Sequence, residues 1–294
     1  MIKASWLGAH RIDLETCSST NDEAGRLARA GASHGTVVIS DRQTAGRGRD
    51  GRVWQSPPGG LYLSAILRPP VALDTVPPMT LAVGIGVCDA VRACGVGGVL
   101  KWPNDILVDA DSLPRPRLAL GDLDAPGYPQ RAPLATLDWR KLAGVLVEAQ
   151  SQSGRLDAVI VGIGINLASV GLNEVSPIAT SLERETGEPP GRELVIERLL
   201  AHVERWVDRY TAIGLPAVIP AWHERMAHGL IARATIDGAL VIGEVAGLDP
   251  EGALMLRDGT GKLWRVRSGD VEVIRPAASG SGPVTDTAVC PNAC

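Results

Sequence analysis

The apolar positions of this chain follow two periods, and each period marks one kind of element. Short β-rich runs bounded by Gly, Pro, Asp or Asn predict four neighbouring strands of one sheet, at Thr36–Ser40, Leu61–Leu67, Leu142–Glu148 and Ala158–Ile165. Apolar residues at helical spacing predict amphipathic helices at Asn21–Ala30, Met79–Ala93 and Glu193–Tyr210. Together these elements indicate an α+β domain.

The pattern changes after Gly229, where short strand-like segments are separated by Asp-Gly and other Gly-rich turns. The segments are Ile231–Ile236, Leu240–Leu248, Ala253–Arg257 and Lys262–Val266, and they predict a small antiparallel β-barrel. We therefore expect a large domain over residues 1–228, a β-module over residues 229–276 and a flexible tail over residues 277–294. A proline-rich segment at residues 110–138 lacks periodicity and is expected to be a surface insertion.

The composition narrows the functional classes. With 294 residues, of which 45% are hydrophobic, the chain can bury one large core and a small second one. A net charge of -4 lacks the basic excess of a protein that binds the nucleic-acid backbone. The five cysteines show no CxxC spacing, and no stretch approaches the roughly 18 uncharged apolar residues of a membrane span. We therefore expect a cytoplasmic protein that has neither nucleic acid nor membrane as a partner.

The segment Gln43–Arg52 carries most of the candidate chemistry, because three glycines alternate with three arginines directly after a predicted strand. Glycines let backbone N–H groups approach a phosphate, while Arg47, Arg49 and Arg52 supply forked donors of permanent charge for phosphate or carboxylate. Few acidic residues lie nearby in the sequence, so we expect the loop to stay mobile until a ligand neutralises it.

The glycines of this loop, Gly46, Gly48 and Gly51, also spell the GxGxxG signature of dinucleotide-binding proteins. That signature requires a helix directly after the loop. Here the sequence VWQSPPGG follows, which is not a helix-forming segment. The context therefore argues against an NAD-dependent oxidoreductase.

The sequence KWPND, residues 101–105, interrupts an apolar run and predicts a turn or bulge between two short strands. Such a turn would present Asn104 and Asp105 toward a cleft, where a carboxylate beside a nucleotide can hold Mg²⁺. The alternative is that Asp105 and Lys101 form an ion pair that only pins the bend.

Lys141 directly precedes a predicted strand, and its ammonium group would point into a pocket there. Gly144 leaves room there for a flat ring against the backbone, and Gly162 and Gly164 repeat this device on the next strand, before Asn166. Together with the arginine loop, these residues predict a flat pocket beside an anion site.

The motifs GRGRDGRVW, KWPND, KLAGVLVE and VGIGIN, in this order, resemble those of biotin protein ligases over about residues 17–273. The resemblance implies a mixed-sheet catalytic domain with the class II synthetase-like biotin/lipoate ligase fold, followed by an SH3-like β-barrel. It implies ATP and Mg²⁺ as cofactors and biotin as a substrate. Only residues 1–16 precede the matched part, so the monofunctional type without an N-terminal DNA-binding domain is expected.

Matched position by position, the resemblance also implies roles for individual residues. It assigns biotin binding to Ser19, Thr20, Asn21, Gln43, Gly46, Arg47, Lys141, Gly144, Leu146, Gly162 and Gly164. It assigns ATP binding to Arg47, Arg49, Arg52, Trp54, Asn104 and Asn166. Lys141 and Arg49 are the implied catalytic residues, and Asp105 is the implied ligand of Mg²⁺.

The implied reaction forms biotinyl-5′-AMP and then transfers biotin to a lysine of the biotin carboxyl carrier protein of acetyl-CoA carboxylase or a related carboxylase. The nearest alternative enzyme is a lipoate or octanoate ligase, which uses the same acyl-adenylate chemistry. A biotin-binding sensor with little turnover is an alternative of another class. An exposed sheet edge could pair with a carrier strand or with a second copy, so a homodimer is plausible.

Overall fold

The structure is a computed structural model of the 294-residue chain, and it describes residues 3–109, 139–171 and 178–274. The predicted insertion at residues 110–138 and the predicted tail at residues 277–294 lie outside the described residues.

The helices and strands of the described residues include every element predicted from the sequence, in the predicted order. The helices are α1 (Thr20–Arg29), α2 (Val76–Ala93), α3 (Leu182–Thr186), α4 (Arg192–Ile213) and α5 (Leu215–His223). The strands of the large sheet are β1 (Arg11–Cys17), β2 (Val37–Gln43), β3 (Gly60–Leu67), β4 (Val99–Lys101), β5 (Asp105–Asp109), β6 (Trp139–Gln152) and β7 (Arg155–Asn166).

The large sheet is mixed, in the order β1-β2-β3-β7-β6-β5-β4, which confirms the predicted α+β class with a mixed sheet. Only β1 and β2 run parallel, because α1 crosses over between them; every other neighbouring pair is antiparallel. The KWPND segment forms the predicted turn between two short strands, with Lys101 opposite Asp105.

Strand β7 shows how the two faces of the sheet differ. Alternate residues from Val159 to Ile165 belong to the main core beneath α2 and α4. On the other face, Ala158 and Ile160 pack with Ala24 and Ala28 of α1. Further along that face the apolar side chains give way to glycines, and this change from packing to open space locates the pocket described below.

Helix α2 lies in the core and packs closely on α4. It begins at Val76, three residues before the predicted start, because prolines are tolerated in the first turn of a helix. Among the described residues, one helical stretch, Leu73–Ala93, is long enough and apolar enough to cross a membrane. However, 67% of its most apolar 18-residue window is buried within the fold. At Gly86 a Cβ would lie 2.8 Å from the Cα of Val203, so this glycine sets how closely the two helices approach.

After α5 the chain forms a second sheet of five antiparallel strands. They are β8 (Ile231–Ile236), β9 (Ala239–Leu248), β10 (Leu254–Arg257), β11 (Leu263–Val266) and β12 (Val271–Val273), in the order β11-β10-β9-β8-β12. Four of these strands lie within one residue of the predicted segments. Trp102 of the KWPND turn is buried and donates its indole N–H to the carbonyl of Gly252, 3.1 Å away. The β4-β5 hairpin is therefore anchored to the turn between β9 and β10 of this second sheet.

The segment before β1 is fastened to α4 by one buried carboxylate. Glu204 is 7% exposed and accepts hydrogen bonds from the backbone N–H groups of Ser5, Trp6 and Leu7 at 2.7–2.9 Å. Burial alone would raise the pKa of Glu204, but the N–H donors of Leu7, Ser5 and Trp6 outweigh it and hold this pKa below its ordinary value. The ionised form of Glu204 therefore stabilises the fold.

We expect Gly86→Ala to destabilise the protein by about 1–3 kcal/mol, because the new methyl group meets the backbone of α4. Gly84→Ala in the same helix is the matched control. A Cβ there reaches only the side chain of Leu100, at 3.5 Å, so the helix propensity of alanine should leave stability equal or up to about 1 kcal/mol higher. Denaturant unfolding of both variants checks this; equal stability of the two would contradict the packing argument.

We expect Glu204→Gln to cost about 1–3 kcal/mol at neutral pH, because an amide cannot accept from three backbone donors as a carboxylate does. The folded-state pKa of Glu204 is lowered, so its contribution is complete above the ordinary value of 4.5 and is lost as the pH falls through the folded-state pKa. The difference in Tm between wild type and variant should therefore shrink in acid. A difference that stayed constant down to pH values below the folded-state pKa would refute this origin.

Candidate active site

The residues of the sequence motifs converge on one cavity of about 180 Å³. The start of α1, the Gly/Arg loop, the β4-β5 hairpin and the middle of β6 and β7 surround it. Fifteen of the seventeen residues expected to be functional line this cavity: Ser19, Thr20, Asn21, Gln43, Arg47, Arg49, Arg52, Trp54, Asn104, Asp105, Lys141, Gly144, Leu146, Gly162 and Gly164. A segment at the start of β12 also reaches it, through Gly269, Asp270, Val271 and Glu272.

The two expected residues outside the lining serve the framework. Gly46 is buried, and a Cβ there would lie 2.7 Å from the hydroxyl of Ser56, so only glycine fits beneath the loop. The side-chain amide of Asn166 donates to the carbonyl of Thr180 at 2.9 Å. This bond turns Asn166 toward the backbone at the end of β7. Its assignment to ATP stays a prediction.

The glycines on the pocket face make room for two different side chains. Gly162 faces the amide of Asn21, whose Oδ1 occupies the place of a Cβ. Gly144 and Gly164 stand opposite each other in β6 and β7, and Cβ atoms there would lie 2.9 Å and 2.6 Å from the indole of Trp54. The predicted space for a flat ring therefore exists over these two glycines, and in this structure the ring of Trp54 takes it.

Trp54 lies in this slot without a complete set of partners. The ammonium group of Lys141 is 5.0 Å from the centre of its ring. Its Nε1 is buried and has no hydrogen-bond partner within the described residues. A cavity of about 180 Å³ is smaller than the roughly 300 Å³ at which ligand sites begin, and the indole accounts for part of the filled space.

A buried polar network supports the start of α1. Gln43 accepts from the backbone N–H of Thr20 at 2.7 Å and donates to the hydroxyl of Ser56 at 2.8 Å. Ser64, which is fully buried on β3, lies 2.7 Å from the hydroxyl of Thr20 and 2.6 Å from Oδ1 of Asn21. The sequence analysis missed Ser64; a serine among the apolar residues of a fully buried strand is the signal that could have found it.

The three arginines of the loop differ in their partners. Arg47 pairs with Asp22 at 2.8 Å and with Glu148 at 3.0 Å, and Arg52 pairs with Asp270 of the second sheet. Arg49 has no ion-pair partner among the residues that the structure describes. These acidic partners come from distant parts of the chain, while few acidic residues lie nearby in the sequence; the expected mobility of the loop stays a prediction.

Glu148, at the end of the KLAGVLVE motif, also was not expected to be functional. Its carboxylate accepts from the amide of Asn21 at 2.7 Å as well as from Arg47. The amide of Asn21 is thus oriented from both sides, by Glu148 on its nitrogen and by Ser64 on its oxygen. Glu148 thereby links the start of α1 to the arginine loop.

Asp105 lies between two lysines. Its Oδ1 is 2.6 Å from the ammonium nitrogen of Lys141, and its Oδ2 is 3.1 Å from that of Lys101. Burial alone would raise the pKa of Asp105, but the charges of Lys141 and Lys101 hold this pKa below its ordinary value. The ion pair of Lys101 with Asp105, the alternative weighed from the sequence, is present. The amide of Asn104 donates to the carbonyl of Val145 at 2.8 Å and fixes the turn on β6.

These contacts do not favour Asp105 as a ligand of Mg²⁺. Both of its oxygens are already bound to ammonium groups, and a divalent cation would have to enter between two like charges. The described residues contain no group of three or more His, Cys, Asp or Glu side chains that could hold a metal ion. The assignment of Mg²⁺ to Asp105 gains no support from these contacts and stays a prediction.

Comparisons with known proteins show which family this chain resembles. Residues 15–166 match the model of the biotin/lipoate A/B protein ligase family. The bifunctional ligase/repressor BirA of Bacillus subtilis is 32% identical over 278 residues, which cover 92% of this chain and 76% of that protein. The biotin–[acetyl-CoA-carboxylase] ligase of Paracoccus denitrificans is 31% identical over 259 residues, which cover 85% of this chain and 95% of that protein.

A solved structure shares the architecture over nearly the same range. The biotin protein ligase from Aquifex aeolicus, in complex with biotin and ATP, superimposes with a TM-score of 0.69 at 27% identity, covering 91% of this chain and 99% of that chain. The family model covers more than half of the chain, and the relatives extend the match through the second sheet. The chain therefore belongs to the biotin/lipoate A/B protein ligase family.

Proposed function

We propose that this protein is an ATP-dependent biotin protein ligase, which activates biotin as biotinyl-5′-AMP and transfers it to a lysine of a biotin carboxyl carrier protein. The observation that carries the proposal is the joint lining of one cavity by a flat glycine floor and by cations, among them Arg47, Arg49, Arg52 and Lys141. The names of the relatives supply the substrate, since the Paracoccus protein is a biotin–[acetyl-CoA-carboxylase] ligase.

In the first step, two anions must meet. An oxygen of the biotin carboxylate attacks the α-phosphorus of ATP, and the bond from this phosphorus to the bridging oxygen breaks, so that pyrophosphate leaves with the electron pair. No proton is transferred. At an effective dielectric constant of about 20, two unit charges 4 Å apart repel by about 4 kcal/mol, which is the cost that cations of the pocket must offset.

The structure suggests how this neutralisation is divided. Lys141 lies beside the glycine floor and next to Asp105, where it can meet both the carboxylate and the phosphoryl oxygens. Arg49 is the loop cation without an ion-pair partner in the described part of the chain, so it can take a phosphate. Arg47 and Arg52 must exchange a protein carboxylate for the ligand or hold the loop while Arg49 binds.

In the second step, the neutral amine of the carrier lysine attacks the acyl carbon of biotinyl-5′-AMP. The carbon–oxygen bond to AMP breaks, AMP leaves with the electron pair, and the nitrogen loses its proton. Nearby cations lower the pKa of an acceptor lysine and so favour its neutral form. We assign no general base. Asp105 is held in the ionised form between two lysines, so it is a poor proton acceptor.

The carrier protein needs a docking edge near the cavity. Strand β6 pairs with β5 only up to Gly144, and within the described residues no strand covers this edge of β6 beyond Val145. A strand of the carrier can be added here, and the same edge could form a homodimer. The partner is the biotin carboxyl carrier protein of acetyl-CoA carboxylase or a related carboxylase.

The proposal also includes the domains, the metal ion and the cellular location. We assign residues 1–228 to a class II synthetase-like catalytic domain and residues 229–276 to an SH3-like barrel; the five-stranded antiparallel sheet supports the latter. Mg²⁺ enters as the counter-ion of ATP, and no step is assigned to it. Cys17, Cys88 and Cys94 are free thiols, which supports a cytoplasmic location.

The proposal is tested by incubating the protein with ATP, Mg²⁺, biotin and a recombinant biotin carboxyl carrier domain, and by measuring the mass of the carrier. Wild type should add one biotin, and Lys141→Ala should slow the reaction by about 10²–10³-fold, because it removes the cation between the two anions. Lys262→Ala, an exposed lysine on the second sheet, is the control. Transfer of lipoate or octanoate in place of biotin would refute the substrate and leave the fold assignment intact.

We expect Arg49→Gly to release biotinyl-5′-AMP into solution, because the loop loses the cation that is free to hold the phosphate over the site. The measurement is the rate at which labelled biotinyl-5′-AMP appears outside the protein. Asp50→Gly is the matched control: it adds a glycine at a residue with φ of +54°, where glycine is favoured, and removes no cation. Equal release by both variants would show that loop flexibility, not Arg49, retains the intermediate.

A further inference from the structure

Lys101 lies in the cavity but has no place in the function proposed above. Its ammonium group binds Oδ2 of Asp105, while Lys141 binds Oδ1 of the same carboxylate. The side chains of Lys101, Asp105 and Lys141 are 14%, 12% and 31% exposed, so the cluster is largely removed from solvent. Each carboxylate oxygen therefore serves one ammonium group.

The charges of this cluster do not balance. Two ammonium groups share one carboxylate, which leaves an excess of one positive charge in a poorly solvated place. Two other carboxylates that line the cavity are engaged, since Asp270 pairs with Arg52 and Glu272 with Arg233. An anionic ligand in the cavity would complete the cluster, because one phosphoryl charge cancels the excess.

The fold directs Lys101 into the cavity by fixing its neighbours. The backbone of Leu100 is held by two hydrogen bonds. Its N–H donates to the carbonyl of Arg225 at 2.8 Å, and its carbonyl accepts from the N–H of Ala227 at 2.9 Å. Trp102 is buried and bonded to Gly252. Because side chains alternate along a strand, these two anchors place Lys101 on the opposite side, toward Asp105. A lysine that served only solubility would need no such arrangement.

We propose that Lys101 is a second phosphoryl-binding lysine of this site, beside Lys141. This role of Lys101 rests on the proposed function, which brings a nucleotide to the pocket. When phosphate enters, Lys101 turns from Asp105 to a phosphoryl oxygen, and Asp105 remains paired with Lys141. Before phosphate enters, Asp105 is a positioning residue that holds the two ammonium groups apart on its two oxygens. The phosphoryl group is either the α-phosphoryl of the adenylate or the pyrophosphate that leaves.

The first test compares wild type with Lys101→Met and Lys101→Arg in biotin-dependent exchange of pyrophosphate into ATP. We expect Lys101→Met to lower the exchange rate by about 10²-fold and Lys101→Arg to retain most of it, since the charge is kept. The Kd of biotin alone should stay unchanged. If Lys101→Met does not fold, Lys101→Gln replaces it, because an amide can still donate to Asp105. Unchanged exchange in the neutral variant would overturn the inference.

A double variant separates direct binding from a counter-ion role. Lys101→Met combined with Asp105→Asn restores the net charge of the cluster, because one positive and one negative charge are removed together. If Lys101 binds phosphate, the double variant remains as slow as the single one. If Lys101 only neutralises Asp105, the double variant recovers toward wild type, and the inference is wrong.

Equilibrium titrations locate the contact without requiring turnover. Pyrophosphate and a non-hydrolysable analogue of biotinyl-5′-AMP are titrated separately against wild type and Lys101→Met. Weaker binding of pyrophosphate alone places Lys101 at the leaving group, and weaker binding of the analogue alone places it at the α-phosphoryl group. Unchanged binding of both overturns the inference. A wild type that binds these ligands yet transfers no biotin would instead refute the proposed function.

Discussion

The pocket depends on keeping five cations close together before any anion arrives. Arg47, Arg49, Arg52, Lys101 and Lys141 all line one cavity, and their mutual repulsion would oppose folding if nothing compensated it. The compensation comes from carboxylates of distant elements: Asp22 of α1, Glu148 of β6, Asp105 of β5 and Asp270 of the second sheet. The ion pairs therefore fasten the loop, the helix and both sheets to one another around the site.

The sheet imposes a second constraint, because each strand has to serve two faces. The core face of β7 carries valine and isoleucine beneath α2 and α4. On its other face, only alanine, isoleucine and then glycine are compatible with α1 and with the pocket. A single residue of slip in register would exchange these faces, so the packing of the core also fixes which backbone lies open to a ligand.

Much of this could be predicted from local sequence. Strands β3, β6 and β7 are strongly apolar, and the long helices repeat apolar residues at helical spacing, so the type of each element follows from its own sequence. Strand β1 was not predicted, because it is an edge strand whose residues Asp13, Glu15 and Thr16 face solvent. Helix α5 was missed because prolines stand in its first turn and in its middle.

For the site, the motifs located the glycines and the cations but not what holds them. Glu148 is the partner of both Arg47 and Asn21, from which it lies 101 and 127 residues away in sequence. No local pattern connects these residues. Ser64 was overlooked for a related reason, and Lys101 was considered only as an ion-pair partner of Asp105, since each appears ordinary until the fold shows what it faces. Sequence motifs report the groups that touch a ligand more readily than the groups that orient them.

The placement of Trp54 over Gly144 and Gly164 fills the flat slot with an indole in this structure. A ring that enters it exchanges places with an indole, so the driving force is the difference between two stacking arrangements and not the burial of a bare surface. The affinity observed for any ligand is then the intrinsic affinity multiplied by the fraction of molecules in which the indole has left. The unsatisfied Nε1 of Trp54 lowers the free-energy cost of displacing the indole, because the closed arrangement forgoes a hydrogen bond that water supplies in the open one.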